Sequence, residues 1–137
     1  MFTDLPEDWK ELSSAAWEVR KNAVAIRTKV GAAVLVHRDT EPDLIFRGCN
    51  IEDVWKASSI HAERSAIACA VSAGFTKIDA VLIAADGALR ERLTPCGGCM
   101  DFLMQFGGPA MLVMFQPAPD ANIQVYTAAE LMPYYPK

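Results

Sequence analysis

The hydrophobic and polar positions near the start of the chain follow the period of an amphipathic helix. Asp4, Pro6 and Glu7 are typical of a helix start. Apolar residues then recur at three- and four-residue spacing, at Trp9, Leu12, Ala16, Val19 and Ala23. Because this spacing places the apolar side chains on one face, it predicts one helix that runs to about Ile26.

Short apolar runs further along the chain predict strands. These runs are Val30 to Val36, Leu44 to Cys49, Ile78 to Ala84, Ala110 to Phe115 and Ile123 to Tyr126. The first two are joined by a polar, proline-containing turn over residues 37–43, which favours an antiparallel hairpin. The later runs are almost unbroken in apolar character, which indicates strands buried on both faces.

Three more helices are predicted between and after these strands. The alanine-rich segment His61 to Gly74 ends at a glycine suited to a left-handed cap and is expected to be mostly buried. Cys99 to Phe106 and Thr127 to Met132 complete the set, giving the order α-β-β-α-β-α-β-β-α. Strands separated by single helices imply right-handed crossovers, so the later strands should be parallel neighbours in an α/β sheet with helices on both faces.

Length and composition limit the class of protein. The 137 residues favour one domain, and 52% hydrophobic residues are enough for a core. No apolar run is long enough to span a bilayer and the N-terminus is acidic, so a soluble, cytoplasmic protein is expected. The net charge is −4 and the basic residues are scattered, which argues against a nucleic-acid polymer as substrate.

The chemistry is concentrated in two short segments. His61-Ala62-Glu63 is followed, 35 residues after the histidine, by Cys96 and Cys99 within Pro95-Cys96-Gly97-Gly98-Cys99. Imidazole and thiolate are ligands that zinc (Zn²⁺) prefers, and three protein ligands leave the fourth tetrahedral position open for water. Cysteines three apart at a helix start share a face, and the helix dipole there favours their thiolate forms.

Glu63 is expected to move protons rather than bind the metal. Residues two apart in a regular helix point away from each other, so His61 and Glu63 can serve one cavity only if His61 lies at the helix boundary. A metal-bound water has its pKa lowered towards neutrality, and Glu63 can then pass its proton to a substrate. The combination H-x-E with P-C-x-x-C resembles the signature of zinc-dependent nucleobase deaminases.

Other interpretations of these residues remain open. A C-x-x-C pair alone is also typical of a redox pair or of half of a structural zinc site. A structural site needs a fourth ligand, and Cys69, eight residues past His61, lies about 12 Å up a helix, which is too far. Cys49 is harder to exclude, although a small buried thiol explains it. His37, in a polar turn, is interpreted as a surface histidine.

Beyond the zinc signature, the chain closely resembles the cytidine deaminase family. The matching segments are Val30 to Ala33, Gly48 to Glu52, Ala62 to Ile67, Thr94 to Cys99 and Glu130 to Pro133. The resemblance implies a three-layer α/β/α sandwich with a five-stranded mixed sheet. For short chains it implies a homotetramer, with a dimer possible, whose active sites borrow residues from neighbouring subunits.

The resemblance also implies roles for individual residues. Zn²⁺ would be held by His61, Cys96 and Cys99. Substrate contacts would come from Asn50 and Glu52 to the ribose hydroxyls, from the Ala62 N–H to the pyrimidine 2-oxygen, and from the Thr94 carbonyl towards the departing ammonia. The implied reaction is hydrolytic deamination of cytidine, deoxycytidine or a modified cytidine nucleoside, with release of ammonia or an amine.

The chain departs from the family pattern in three places. Short members usually have cysteine where His61 stands, although Arg64 still occupies the position of the arginine that helps a three-thiolate site. Thr28 replaces the aromatic residue that packs on the base. Residues 53–59 and the C-terminal end also differ, so Trp55, Tyr134 or Tyr135 could restore stacking.

An enlarged base pocket would suit a cytidine substituted on its amine. The alternatives left open are a deaminase of a free base or other aminoheterocycle, and a non-enzymatic structural zinc protein. Pyrimidine salvage and detoxification are both compatible with the sequence.

Overall fold

The predicted order of helices and strands is confirmed. The computed structural model describes residues 8–54, 59–87 and 97–132, and the outcome for each element is given within those ranges. The helices are α1 (Trp9–Arg20), α2 (Ala62–Ser72), α3 (Gly97–Gly107) and α4 (Ala128–Leu131). The strands are β1 (Gly31–Val36), β2 (Leu44–Cys49), β3 (Ala80–Ala84), β4 (Leu112–Gln116) and β5 (Gln124–Thr127).

The strands form one mixed sheet in the order β2-β1-β3-β4-β5. β1 is antiparallel to both β2 and β3, and β5 is antiparallel to β4. β3 and β4, which α3 connects, are parallel neighbours as the crossover rule predicts. The five-stranded mixed sheet is therefore the one that the family resemblance implies.

Alternate residues of the central strands feed two separate cores. Val34, Ile83 and Phe115 belong to the core that α2, α3 and α4 cover. Their neighbours Leu35 and Leu82 belong to the core on the other face, with α1. Both faces of the sheet are thus buried, which confirms the three-layer α/β/α arrangement and explains why β1 and β3 have no polar position.

α1 ends earlier than its hydrophobic pattern predicts. The helix stops at Arg20 rather than near Ile26. The reason is that Val24 pairs with the segment that follows β2 instead of continuing the helix. The Val24 N–H donates to the Asn50 carbonyl at 3.1 Å, and the Val24 carbonyl accepts from the Glu52 N–H at 2.7 Å. These tertiary hydrogen bonds outweigh a local helical preference. Residues Asp4, Pro6 and Glu7 lie outside the described residues.

The prediction for α2 is correct in its ending and wrong in its burial. Gly74 takes a left-handed conformation with φ 99°, and its N–H bonds to the Val71 carbonyl at 2.9 Å. Only the inner face of the helix is buried, whereas Ala68 and Cys69 are exposed. Three of the four alanines of α2, Ala62, Ala66 and Ala70, lie on that buried face. None of the helices in the described ranges is both long and apolar enough to cross a bilayer.

Candidate active site

His61 lies at the boundary of α2, as the two-residue spacing to Glu63 requires. It is the N-cap residue, with extended backbone angles of φ −77° and ψ 152°. The extended conformation continues backwards, because Ile60 and Ile51 exchange two backbone hydrogen bonds of 2.8 and 2.9 Å. The change from extended to helical backbone after His61 lets His61 and Glu63 face the same cavity.

The starts of α2 and α3 bring three potential ligands together. His61 Nδ1 lies 3.0 Å from Cys99 Sγ. A carboxylate oxygen of Glu63 joins them, and the three ligand atoms all lie within 4.8 Å of one another. Cys99 is fully buried and Glu63 is 6% exposed, whereas His61 is exposed.

These residues fit a zinc ion. An imidazole nitrogen and a thiolate sulfur that shared a tetrahedral zinc ion would lie about 3.5 Å apart. His61 Nδ1 and Cys99 Sγ are 3.0 Å apart, so they would need to separate by only about 0.5 Å to hold the ion. The cluster buries the carboxyl group of Glu63 and the sulfur of Cys99. Negative charge on buried groups is costly unless a cation balances it. The other expected ligand, Cys96, immediately precedes α3 and lies outside the described residues, as does Thr94.

The remaining described cysteines do not complete a closed structural site. Within residues 8–54, 59–87 and 97–132, the metal-type cluster contains His61, Glu63 and Cys99, but neither Cys49 nor Cys69. Cys69 is exposed on α2 and Cys49 pairs with Gly31 at the end of the hairpin. The interpretation that used Cys49 as a fourth ligand therefore loses its support.

Gly48 sets how closely α2 approaches the sheet, a role that the sequence motifs did not reveal. A Cβ atom on Gly48 would lie 2.4 Å from the Ala66 nitrogen and 2.6 Å from the Ser65 carbonyl carbon. Both are backbone atoms and cannot move aside without moving the helix. The signal that could have revealed this contact is the glycine itself. A glycine inside a predicted strand, two residues before Asn50, is typical of a close approach by another backbone segment.

Asn50 and Glu52 lie beside the ligand cluster and hold the segment 26–30. The antiparallel pair Ile51–Ile60 puts Asn50 opposite His61. Asn50 is 6% exposed. Its Oδ1 accepts from the Val30 N–H at 2.8 Å, and its Nδ2 donates to the Thr28 carbonyl at 2.8 Å and to Glu52 at 3.3 Å. Both hydrogens of the Asn50 amide are therefore engaged.

The two carboxylate oxygens of Glu52 are engaged unequally. Oε2 accepts from the backbone N–H groups of Ile26 and Arg27 at 2.9 and 3.0 Å. Oε1 has only long contacts, 3.5 Å to the Thr28 N–H and 3.3 Å to Asn50. The Arg27 and Ile26 N–H groups lower the pKa of Glu52, so this carboxylate is ionised near neutrality. Oε1 keeps the capacity to accept a stronger hydrogen bond from a hydroxyl group.

Two further predicted positions can be placed. Ala62 is the first residue of α2, between His61 and Glu63, where a helix N–H has no partner within the helix. Thr28 is exposed on the segment that Asn50 and Glu52 hold. Trp55, Tyr134 and Tyr135 lie outside the described residues.

Comparison of the sequence with known families gives a match over most of the chain. Residues 6–115 match the model of the cytidine and deoxycytidylate deaminase zinc-binding region. A cytidine deaminase of Sporosarcina psychrophila is 31% identical over 128 residues, covering 92% of this chain and 89% of that protein. A probable cytidine deaminase of Dictyostelium discoideum is 39% identical over 80 residues, 58% of this chain, and this match spans half of the Dictyostelium protein.

Comparison of the fold agrees with the sequence matches. The crystal structure of a cytidine deaminase from Burkholderia pseudomallei superposes with a TM-score of 0.74 at 25% identity. The superposition covers 95% of this chain and 98% of that one. The five-stranded sheet and its helices therefore match those of a solved cytidine deaminase along nearly their whole length.

Proposed function

We propose that this chain, which belongs to the cytidine and deoxycytidylate deaminase family, hydrolyses the exocyclic amine of a cytosine nucleoside. It is a zinc-dependent enzyme of that family. The observation that carries the proposal is the convergence of His61, Glu63 and Cys99 within 4.8 Å at the starts of two helices. We assign His61, Cys96 and Cys99 as the ligands and Glu63 as the proton carrier.

The proton transfers can be assigned to Glu63. When bound, zinc lowers the pKa of a coordinated water towards about 7, which supplies a nucleophile at neutral pH. Glu63 accepts the first water proton and gives it to N3 of the ring while the new C4–O bond forms. Glu63 then carries the second proton of the same water, now on the C4 oxygen, to the C4 amine. The C4–N bond breaks, ammonia leaves and the C4 carbonyl of the product forms. The nearly complete burial of Glu63 keeps this proton away from bulk water.

Glu52 and Asn50 have different roles in sugar binding: Glu52 contacts the sugar and Asn50 positions Glu52. We assign Glu52 Oε1 as the acceptor for a ribose hydroxyl, because its present contacts are its longest ones. Asn50 has both amide hydrogens engaged and fixes the direction of Glu52 and of the Thr28 backbone. The Ala62 N–H at the start of α2 is assigned to the pyrimidine 2-oxygen, as in the family pattern.

A cytidine substituted on its amine is a second candidate substrate. Thr28 is exposed on the held segment, where an aromatic residue packs on the base in the family pattern. A small side chain at that position leaves room around the base. The reaction would then release an alkylamine in place of ammonia.

A substrate panel tests the proposed reaction and the role of Glu52 together. We expect zinc-loaded protein to release ammonia from cytidine or deoxycytidine, or methylamine from N4-methylcytidine, with kcat/KM far above that for cytosine. Glu52→Gln should lower kcat/KM for the nucleoside about 10- to 100-fold, since it replaces a charged hydrogen bond to the sugar with a neutral one. The value for cytosine should change less than about threefold.

The control for Glu52→Gln is Glu18→Gln, which removes an exposed carboxylate on α1 that pairs with Lys21. It should leave both substrates unaffected. Equal losses for nucleoside and free base in Glu52→Gln would contradict the sugar contact. An absence of amine release from every aminopyrimidine would instead favour a non-enzymatic zinc protein.

We also propose that the chain is a homo-oligomer, with a tetramer favoured over a dimer. Three exposed large apolar residues next to His61 are joined by the backbone pairs Val24–Ile51 and Ile51–Ile60, and two more, Ile26 and Val54, lie two and three residues from them along the chain. Their exposed fractions are 61% for Val24, 65% for Ile26, 43% for Ile51, 77% for Val54 and 44% for Ile60. Such a patch is typical of an interaction surface, and a second copy seated on it would also shield the exposed His61.

A charged substitution on this patch tests the assembly. Val54→Asp should shift the protein to smaller species in light scattering coupled to size exclusion, because it places a charge in the proposed contact. Thr40→Asp adds the same charge in the exposed turn at the opposite end of the β1–β2 hairpin and should leave the assembly intact. A monomeric parent protein at micromolar concentration would rule the proposal out.

A further inference from the structure

Arg64 and Phe102 form a contact between the two ligand-bearing helices. The guanidinium carbon of Arg64 lies 5.7 Å from the centroid of the Phe102 ring. Arg64 follows His61 by three residues on α2, and Phe102 follows Cys99 by three residues on α3. Residues three apart share a helix face, so each partner lies one turn behind a ligand.

The environment of Arg64 indicates that the ring is its main partner. Its Nε is buried and has no hydrogen-bond partner. No carboxylate in the described ranges forms an ion pair with it. A cation over an aromatic face is attracted by the ring quadrupole, and the attraction strengthens where water is excluded.

The ring of Phe102 is itself held in place. It packs edge-on against Phe106, with centroids 5.5 Å apart and an angle of 68° between the planes. Phe102 also packs against the core beneath α2 and α3. The guanidinium therefore rests on a ring whose orientation is fixed by the next turn of α3.

We propose that Arg64, seated on the ring of Phe102, is a positioning residue that joins α2 to α3 one turn behind the ligands and fixes the separation of His61 and Cys99. The ligand set explains why the arginine is free for this role. Two thiolates and a neutral imidazole already balance the charge of zinc, so no extra cation is needed to neutralise the site. The inference rests on the zinc site and is independent of which nucleoside is the substrate.

A double-mutant cycle on zinc release tests the contact. Arg64→Met and Phe102→Leu keep most of the apolar volume but remove the cation and the ring, respectively. Each should speed zinc transfer to a chelator about 3- to 30-fold, and the double variant should be no faster than the faster single variant. The d–d absorption bands of the cobalt-loaded single variants should change in the same way, since both alter the ligand geometry.

Conservative variants and a more distant ring serve as controls. Phe102→Tyr keeps the ring face and should release zinc as slowly as the parent. Arg64→Lys keeps the positive charge and should release zinc at a rate between those of the parent and Arg64→Met. Phe75→Leu removes a ring that packs against Phe46, beyond the far end of α2, and leaves the Arg64–Phe102 contact intact, so its zinc release should stay within about twofold of the parent. Additive effects of Arg64→Met and Phe102→Leu, or unchanged release in both, would overturn the proposal. The conservative variants decide the question even if the truncated ones do not fold, and every arm is measured without substrate.

Discussion

Replacing Glu63 with glutamine is expected to reduce kcat for the preferred nucleoside by about 10³-fold while zinc stays bound. Glutamine has nearly the same shape as glutamate but cannot accept and return a proton near neutrality. General acid–base catalysis by a positioned side chain contributes about 10²- to 10⁴-fold, and here one carboxylate serves both proton transfers. Zinc content by metal analysis and steady-state amine release are the two measurements.

The zinc measurement also separates two roles of Glu63. A carboxylate oxygen of Glu63 lies within 4.8 Å of a ring nitrogen of His61 and of Cys99 Sγ, close enough for direct coordination of the same ion. Loss of zinc in Glu63→Gln would make Glu63 a ligand and leave no open position for water. The Glu18→Gln variant on α1 controls for the loss of a carboxylate and should keep both zinc and activity.

The strands could be predicted from the sequence because burial removes polar residues from them. β1 and β3 lie inside the sheet and are covered on both faces, so each has a continuous apolar run. The ligand cluster could also be predicted, since the spacing of His61 and Glu63 fits one cavity only with a helix boundary at His61. The structure places that boundary where the chemistry requires it.

Other features depend on partners distant in sequence and could not be predicted. The end of α1 at Arg20 follows from hydrogen bonds between Val24 and the segment after β2. The contact of Arg64 with Phe102 joins residues 38 positions apart, and neither residue signals the other in the sequence. In both cases a tertiary contact decides what the local pattern leaves open.

Replacing Cys99 with serine is expected to weaken zinc binding by roughly a hundredfold or more and to abolish detectable deamination. The thiolate is the form that binds metal, and a serine hydroxyl keeps its proton at neutral pH. Cys99 is fully buried and 3.0 Å from His61, so no solvent-exposed group can take its place without rearranging α3. Competition with a chelator gives the affinity, and amine release gives the activity.

Cys69→Ser is the matched control for Cys99→Ser. Cys69 is exposed on α2 and lies outside the ligand cluster, so its loss should change neither zinc affinity nor rate. Tight zinc binding by Cys99→Ser would place the metal elsewhere in the chain, and zinc loss in Cys69→Ser would do the same. The two variants make the same chemical change on neighbouring helices. A difference between them in zinc affinity or rate is therefore due to the position of the thiol and not to the loss of a thiol as such.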